Sequence, residues 1–298
     1  MAKPIEILPD ALSPSGDWYT DSWQPGALLW SVHVRRVLRD EQTPYQRLRV
    51  LETESHGRMM VLDEAVQVAE SDEACYHELL VHPGLCRRGA SQGPKRVLVI
   101  GGGDGGAARE ALRHPGVTHV DLVDIDPAVT RAARDFFPTL WVRPDGSGPL
   151  DDDPRFHLHH EDGLTFLKGQ SEPYDLIVVD STDPVGPGEV LFSNAFYALV
   201  AEHTRPGGAA AVQGGSFWYL PEVLERATTG LAAAFGRAEP YVCWSDVYPG
   251  GLWNLVLATF GDDPAEVDRE RAGALTGCRF YSAEVHPALF ALGRWRRR

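Results

Sequence analysis

The chain changes its rhythm about a third of the way along. Between residues 30 and 70 the apolar positions come in short alternating runs, SVHVRRVL, QRLRVLE and RMMVLDEAVQVAE, separated by polar or glycine-containing breaks. Alternation puts every second side chain on one face of a strand, so this stretch predicts a β-rich opening. Asp63 and Glu64 lie between two alternating halves and predict a tight hairpin turn, in which Glu64 is poorly suited to a positive φ. Ser71 and Asp72 then read as the start of a short helix carrying Tyr76 and His77, with Pro83 and Gly84 as its end.

Farther along, strand-like and helix-like stretches alternate. The strands are RVLVI, HVDLVDI, RFHLHH, YDLIVVD and GAAAVQ, and the helices begin near Gly106, Pro127, Leu164, Ser193 and Pro221. Such alternation predicts an α/β fold with an open, mostly parallel, doubly wound sheet covered by helices on both faces. The turn-rich segment RRGASQGPK, residues 87–95, marks the boundary. It divides the chain into an N-terminal β-rich domain with a short helix, residues 1–88, and a larger domain, residues 89–298.

Composition narrows the class. A chain of 298 residues with 43% hydrophobic and 23% charged residues is neither disordered nor membrane-like, and no apolar run approaches the roughly 18 residues of a spanning helix. The opening MAKPIEILPD lacks the apolar core of a signal peptide, so a cytoplasmic protein is expected. Cys75, Cys86, Cys243 and Cys278 form no C-x-x-C pair, which predicts free thiols and neither a disulfide framework nor a cysteine zinc site. The net charge of -14 speaks against nucleic acid or an anionic membrane as partner. The terminal RWRRR reads as a solvated tail, and the histidines of HLHH as strand side chains and not a metal site.

In VLVIGGGDGGAARE, residues 97–110, Gly101, Gly103 and Gly106 satisfy the dinucleotide pattern G-x-G-x-x-G, and Asp124 stands where a ribose-binding acid is expected. Asp104 contradicts a phosphate ligand. Two like charges about 4 Å apart repel by about 4 kcal/mol at an effective dielectric near 20. In open α/β sheets ligands bind at the carboxyl ends of the strands. Those ends carry the glycine loop, Asp124, Asp162 with Gly163, Asp180 to Asp183, and Gln213, so four of the five present a carboxylate to one crevice. The pair Asp180 and Asp183 could hold a divalent metal, but no acid-free phosphate cradle accompanies it, and a polyvalent cation such as a diamine fits better.

GGGDGG, the loop DSTDPVGPGEVLF and VLDEAVQVAESDEACYHELL, together with YPGGLW and CRFYSAEVHPALFAL, resemble the polyamine aminopropyltransferases, nearest the spermidine synthases among them, from about Gly26 to the end. The resemblance implies a small N-terminal β-domain followed by a Rossmann-like, class I methyltransferase-type domain in a homodimer or homotetramer. It implies transfer of an aminopropyl group from decarboxylated S-adenosylmethionine, a co-substrate, to putrescine, with no metal or redox cofactor. Carried over residue by residue, Asp180 matches the general base. Tyr76, His77, Asp104, Asp183, Gln213 and Tyr248 match the diamine and aminopropyl end, and Gln46, Asp124, Asp162, Gly163 and Pro187 the methylthioadenosine portion, with Asp104 also facing the donor.

The chain departs from the pattern in places. Asp124 replaces the usual Glu, Arg47 an acid, Glu64 a glycine and Ser71 an arginine, and no Pro-Thr precedes Tyr248. These bear on the acceptor, for which cadaverine, agmatine or a longer amine are alternatives, more than on the reaction. A methyltransferase using intact S-adenosylmethionine is the nearest rival; Val99, where an acid is common, and Asp104 speak against it. A non-catalytic polyamine-binding relative would be free to lose Asp180, Asp183 and Tyr76, all of which are present.

Overall fold

A computed structural model of the protein describes residues 17–24, 28–182, 186–248 and 250–293. The alternating runs become four strands of an antiparallel sheet, preceded by a strand the runs did not include, in chain order: β1 (Asp17–Gln24), β2 (Leu28–Gln42), β3 (Arg47–Thr53), β4 (Arg58–Leu62) and β5 (Ala65–Ala69). Alternation sorts its faces. Leu48, Val50, Met60, Leu62 and Val68 join the main core, whereas Leu51, Met59, Val61 and Val66 cluster with Tyr19, Val32 and Val34 on the other side. The turn between β4 and β5 places its positive φ, 51°, on Asp63 and spares Glu64. An Asp tolerates the left-handed region better than most residues, and here its Oδ1 accepts the Arg47 N–H at 2.9 Å.

The helix α1 (Glu73–Cys86) does not stop at Pro83 as the sequence predicts. Proline has no N–H to give the carbonyl four residues back, which belongs to Leu79. The Tyr241 hydroxyl donates to that carbonyl at 2.9 Å, so the helix runs on to Cys86. Left unpaired in the interior, the carbonyl would cost about 1–3 kcal/mol. All residues of α1 are buried, Glu73, His77, Glu78 and His82 included. Each of these polar groups has a fixed partner. Glu78, for example, accepts three backbone N–H groups, from Arg279, Phe280 and Tyr281, at 2.6–2.8 Å. Although it precedes the turn-rich segment, α1 lies against the second sheet and α2 (Gly106–Leu112).

The second sheet contains β6 (Lys95–Gly101), β7 (Val117–Val123), β8 (Phe156–His159), β9 (Tyr174–Asp180), β10 (Thr204–Gly215), β11 (Arg237–Trp244) and β12 (Leu252–Thr259). Their order is β11-β12-β10-β9-β6-β7-β8, parallel from β10 to β8, with β12 and β11 antiparallel at one edge. The helices α3 (Pro127–Phe136), α4 (Gly163–Lys168), α5 (Asn194–Glu202) and α6 (Pro221–Phe235) follow their strands and, like α2, begin within a residue of the predicted starts. Val97, Val99, Leu176 and Val178 face one core and Leu98, Ile100, Ile177 and Val179 the other, so both faces of the sheet are covered. The segments α7 (Arg269–Gly273) and α8 (Val285–Gly293) complete the described chain. No helix among the described residues is long and apolar enough to cross a membrane.

Candidate active site

Strand order reverses between β6 and β9, and the carboxyl ends of these strands open into a cavity of about 430 Å³. That is within the range of small-molecule sites. One wall comes from the strand ends of the second sheet, and the other from Gln46, Met60, Leu62, Glu64 and Gln67 of the first. Side-chain bonds tie the walls together. Thr43 Oγ1 and Gln46 Nε2 donate to Asp126 Oδ2 at 2.7 and 3.1 Å, and the Tyr248 hydroxyl donates to the Gln67 carbonyl at 2.6 Å.

The charged groups of the lining are all acidic. Asp21, Asp63, Glu64, Asp104, Asp124, Asp162 and Asp180 face the cavity, and no Lys, Arg or His does among the described residues. A phosphate would meet unopposed like charge here, whereas a cation gains from each carboxylate. The dinucleotide reading of the glycine loop therefore fails on charge.

The loop itself is shaped by close approach. Gly101 has φ 79°, and a Cβ there would be driven into the Asp180 carbonyl oxygen of the adjacent strand. Gly101→Ala is expected to lower stability by roughly 2–4 kcal/mol, the sum of left-handed strain and overpacking. Urea unfolding would register this as a lower midpoint at unchanged slope; an unshifted midpoint would contradict it. The Gly103 N–H donates to Asp124 Oδ2 at 2.9 Å and the Asp126 N–H to Asp124 Oδ1 at 2.8 Å. Burial nevertheless pushes the Asp124 carboxyl up to about 6.

Asp180, at the end of β9, accepts the Tyr76 hydroxyl on Oδ1 at 2.7 Å. Its Oδ2 is buried and has no hydrogen-bond partner among the described residues. Burial first, then the charge of Asp104, push its carboxyl up to about 6, against the opposite influence of His77 and Tyr76. Asp104 accepts the Gly106 N–H on Oδ1 at 2.7 Å. Tyr76 meets Tyr248 edge to face, ring centroids 5.6 Å apart, and the Tyr248 ring lies 4.9 Å from Trp253. Gln213 holds the next strand end, Nε2 donating to the Ser181 carbonyl at 3.3 Å and Oε1 accepting the Gly215 N–H at 3.0 Å. Asp162 caps α4 through Oδ1, which accepts the Thr165 N–H at 2.8 Å, and Gly163 follows it on the cavity wall.

The structure thus brings Gln46, Tyr76, Asp104, Asp124, Asp162, Gly163, Asp180, Gln213 and Tyr248 to one cavity. His77 does not join them on the wall. It is fully buried behind Asp104, with Nε2 3.3 Å from Asp104 Oδ1. Asp183 lies outside the described residues, as do the side chain of Pro187 and the RWRRR tail. None of the HLHH histidines lines the cavity: His159 Nε2 pairs with Asp121 at 2.9 Å, and His157 stacks on His119. A second buried group, His82, Glu110 and Cys278, has its carboxylate already held by Arg109 and Arg113 at 2.7 and 2.6 Å.

The spermine/spermidine synthase domain matches residues 73–269, and the spermidine synthase tetramerisation domain matches residues 17–70. The chain belongs to the spermine/spermidine synthase family. It is 36% identical over 277 residues to the polyamine aminopropyltransferase of Moorella thermoacetica, covering 93% of this chain and 94% of the relative. Against the Bacillus subtilis polyamine aminopropyltransferase the figures are 35% over 278 residues, 93% and 96%; against spermidine synthase 2 of Datura stramonium, 35% over 279 residues, 90% and 84%. A spermidine synthase crystal structure in complex with the transition-state analogue AdoDATO aligns with TM-score 0.85 at 29% identity, over 97% of this chain and 93% of that one. The Thermotoga maritima spermidine synthase aligns with TM-score 0.84 at 28% identity, over 95% of each chain. The fold is therefore that of this synthase family, a small antiparallel sheet followed by a methyltransferase-like domain.

Sequence reasoning missed several residues that hold the cavity walls and the groups behind them in place. Asp126 caps α3, accepting the Ala128 N–H at 2.9 Å, while its other oxygen binds the first domain. The Asp126-Pro127 pair is a helix-start signal, but nothing local tells that the cap also reaches Gln46. Glu73 and Arg109 stand behind His77, and only the four-residue spacing of Glu73 and His77 on one helix hinted at that contact.

Proposed function

We propose that the protein is a spermidine synthase, transferring the aminopropyl group of decarboxylated S-adenosylmethionine to putrescine to give spermidine and methylthioadenosine. The reading rests on the acidic cavity without a basic side chain among its described lining residues: a sulfonium donor and an amine acceptor are both cationic, and no anionic ligand fits. The amine lone pair forms the new N–C bond as the C–S bond breaks, its electrons returning to sulfur. The sulfonium is its own leaving group, so the reaction calls for neither a redox cofactor nor a metal, and positioning supplies most of the catalysis.

Asp180 receives the proton of the attacking amine. Asp104 and Asp183 hold ammonium groups, and Tyr76 and Tyr248 wall the methylene chain. Gln213 sets the strand end beside them. On the donor side Gln46 and Asp124 face the ribose, Asp162 the adenine amino group, and Gly163 and Pro187 the ring. Asp124, shorter than the family's usual Glu, keeps lone pairs for the ribose beyond those given to the Gly103 and Asp126 N–H groups. The tetramerisation-domain match supports a homo-oligomer.

An alkyl ammonium of pKa near 10.4 exceeds a reference carboxyl near 3.9 by about 6 units, on the order of 9 kcal/mol against proton transfer. With Asp180 raised to about 6 the gap narrows by about two units, roughly 3 kcal/mol. Both groups then set the pH dependence in the same sense: Asp180 becomes a proton acceptor above about pH 6, and the neutral amine fraction grows toward pH 10. Rate is expected to climb from pH 6 to 9; a flat profile with chemistry limiting would contradict the scheme. The function itself is tested by incubating the protein with decarboxylated donor and putrescine, cadaverine, agmatine or spermidine, and identifying products by mass. Spermidine from putrescine supports the reading, and no product with any amine overturns it.

A further inference from the structure

A row of alternating charges is buried behind the carboxylate end of the cavity. Arg109 of α2 donates to Glu73 of α1, Nη2 to Oε2 at 2.9 Å and Nη1 to Oε1 at 3.3 Å. Glu73 Oε2 stands 2.9 Å from His77 Nδ1, and His77 Nε2 stands 3.3 Å from Asp104 Oδ1. Glu73 and Arg109 do not line the cavity. The imidazole is held from the far side by the glycine loop, where a Cβ on Gly106 would enter its ring.

A neutral imidazole carries one N–H, and carboxylates carry none. With a carboxylate at each nitrogen, only the imidazolium satisfies both contacts. We propose that Glu73 and Arg109 are positioning residues that keep His77 an imidazolium through the working pH range, so that His77 steadies Asp104 and leaves Asp180 free to ionise. Direction of titration agrees: burial pushes His77 down, but Asp104 and Glu73 outweigh it and raise the imidazole well above its ordinary value. The groups facing His77 are Glu73 and Tyr76 on its own helix, Asp104 from the glycine loop, Asp180 from β9, and Arg109 of α2 across Glu73. Tyr248, from the loop before β12, faces the two aspartates.

The sign is then fixed. A cation beside Asp104 and Asp180 favours their charged forms, so loss of the His77 proton raises the pKa of Asp180 and moves its ionisation to higher pH. Removing Glu73 brings that loss into the assay range. Side-chain ¹⁵N NMR, with His77 assigned by its absence in His77→Gln, is expected to show both ring nitrogens protonated at pH 8 in the wild type. In Glu73→Gln the midpoint is expected to fall by about 1–3 pH units. The kinetic arm rests on the aminopropyl transfer proposed above: kcat/KM for the amine rises to pH 9 in the wild type, and in Glu73→Gln the ascending limb is displaced to higher pH. A neutral His77 in the wild type at pH 8 overturns the proposal, as does a Glu73→Gln profile lowered by one factor at every pH, the mark of a merely structural role. Absence of transfer activity would overturn the assigned reaction, while the NMR spectrum would still decide the charge of His77.

Discussion

Asp180→Asn is expected to lower turnover by about 10³-fold while donor affinity stays within a few-fold of wild type. The amide is nearly isosteric and keeps an oxygen to accept the Tyr76 hydroxyl, which donates to Oδ1 at 2.7 Å, so the end of β9 keeps its shape. What disappears is the proton acceptor. The orphaned Oδ2 is the atom suited to that task, being buried, on a residue of the cavity wall and without a hydrogen-bond partner among the described residues. Single-turnover rates and equilibrium donor titrations separate the two effects. A loss of less than tenfold would show that amine already deprotonated in solution carries the reaction and that Asp180 serves binding alone.

The second large effect concerns the donor. Intact S-adenosylmethionine differs from the decarboxylated form by one carboxylate, at the end of the chain that the proposed assignment puts beside Asp104. Two such charges at about 4 Å repel by about 4 kcal/mol at an effective dielectric near 20, close to a 10³-fold preference for the decarboxylated form. Asp104→Asn is expected to remove nearly all of that preference, chiefly by improving binding of the intact donor, since the like-charge repulsion is its source. Calorimetric titration of both donors into both proteins measures it. Equal affinities in the wild type would restore the methyltransferase as the better reading.

Much of the architecture was legible because it rests on local periodicity. Alternating runs between residues 30 and 70 gave the first sheet apart from β1, apolar runs gave five strands of the second, and Ser193 and Pro221 mark the helix starts where they occur. The crevice acids were legible for the same reason, since they occupy the ends of those runs. What escaped was held by distant partners. β11 contains Pro240 and begins with polar residues, and its pairing with β12 is decided only when Tyr241 faces Leu255 across the ladder. The continuation of α1 past Pro83 depends on a hydroxyl 162 positions away. His77 was matched with Tyr76 through the resemblance, but successive helical residues face different ways, so only Tyr76 reaches the cavity.

The two walls of the cavity come from two sheets that share one core and are further tied by the Asp126 and Tyr248 contacts. The site is in that sense a seam. Its width is therefore a distance between two bodies, and a change far from any ligand, in the stitching or in the pitch of the first sheet, resets the length of amine that fits. A lineage could exchange one acceptor for another without altering a single lining residue, and a chain that begins to come apart at the seam would lose its substrate before it lost its helices.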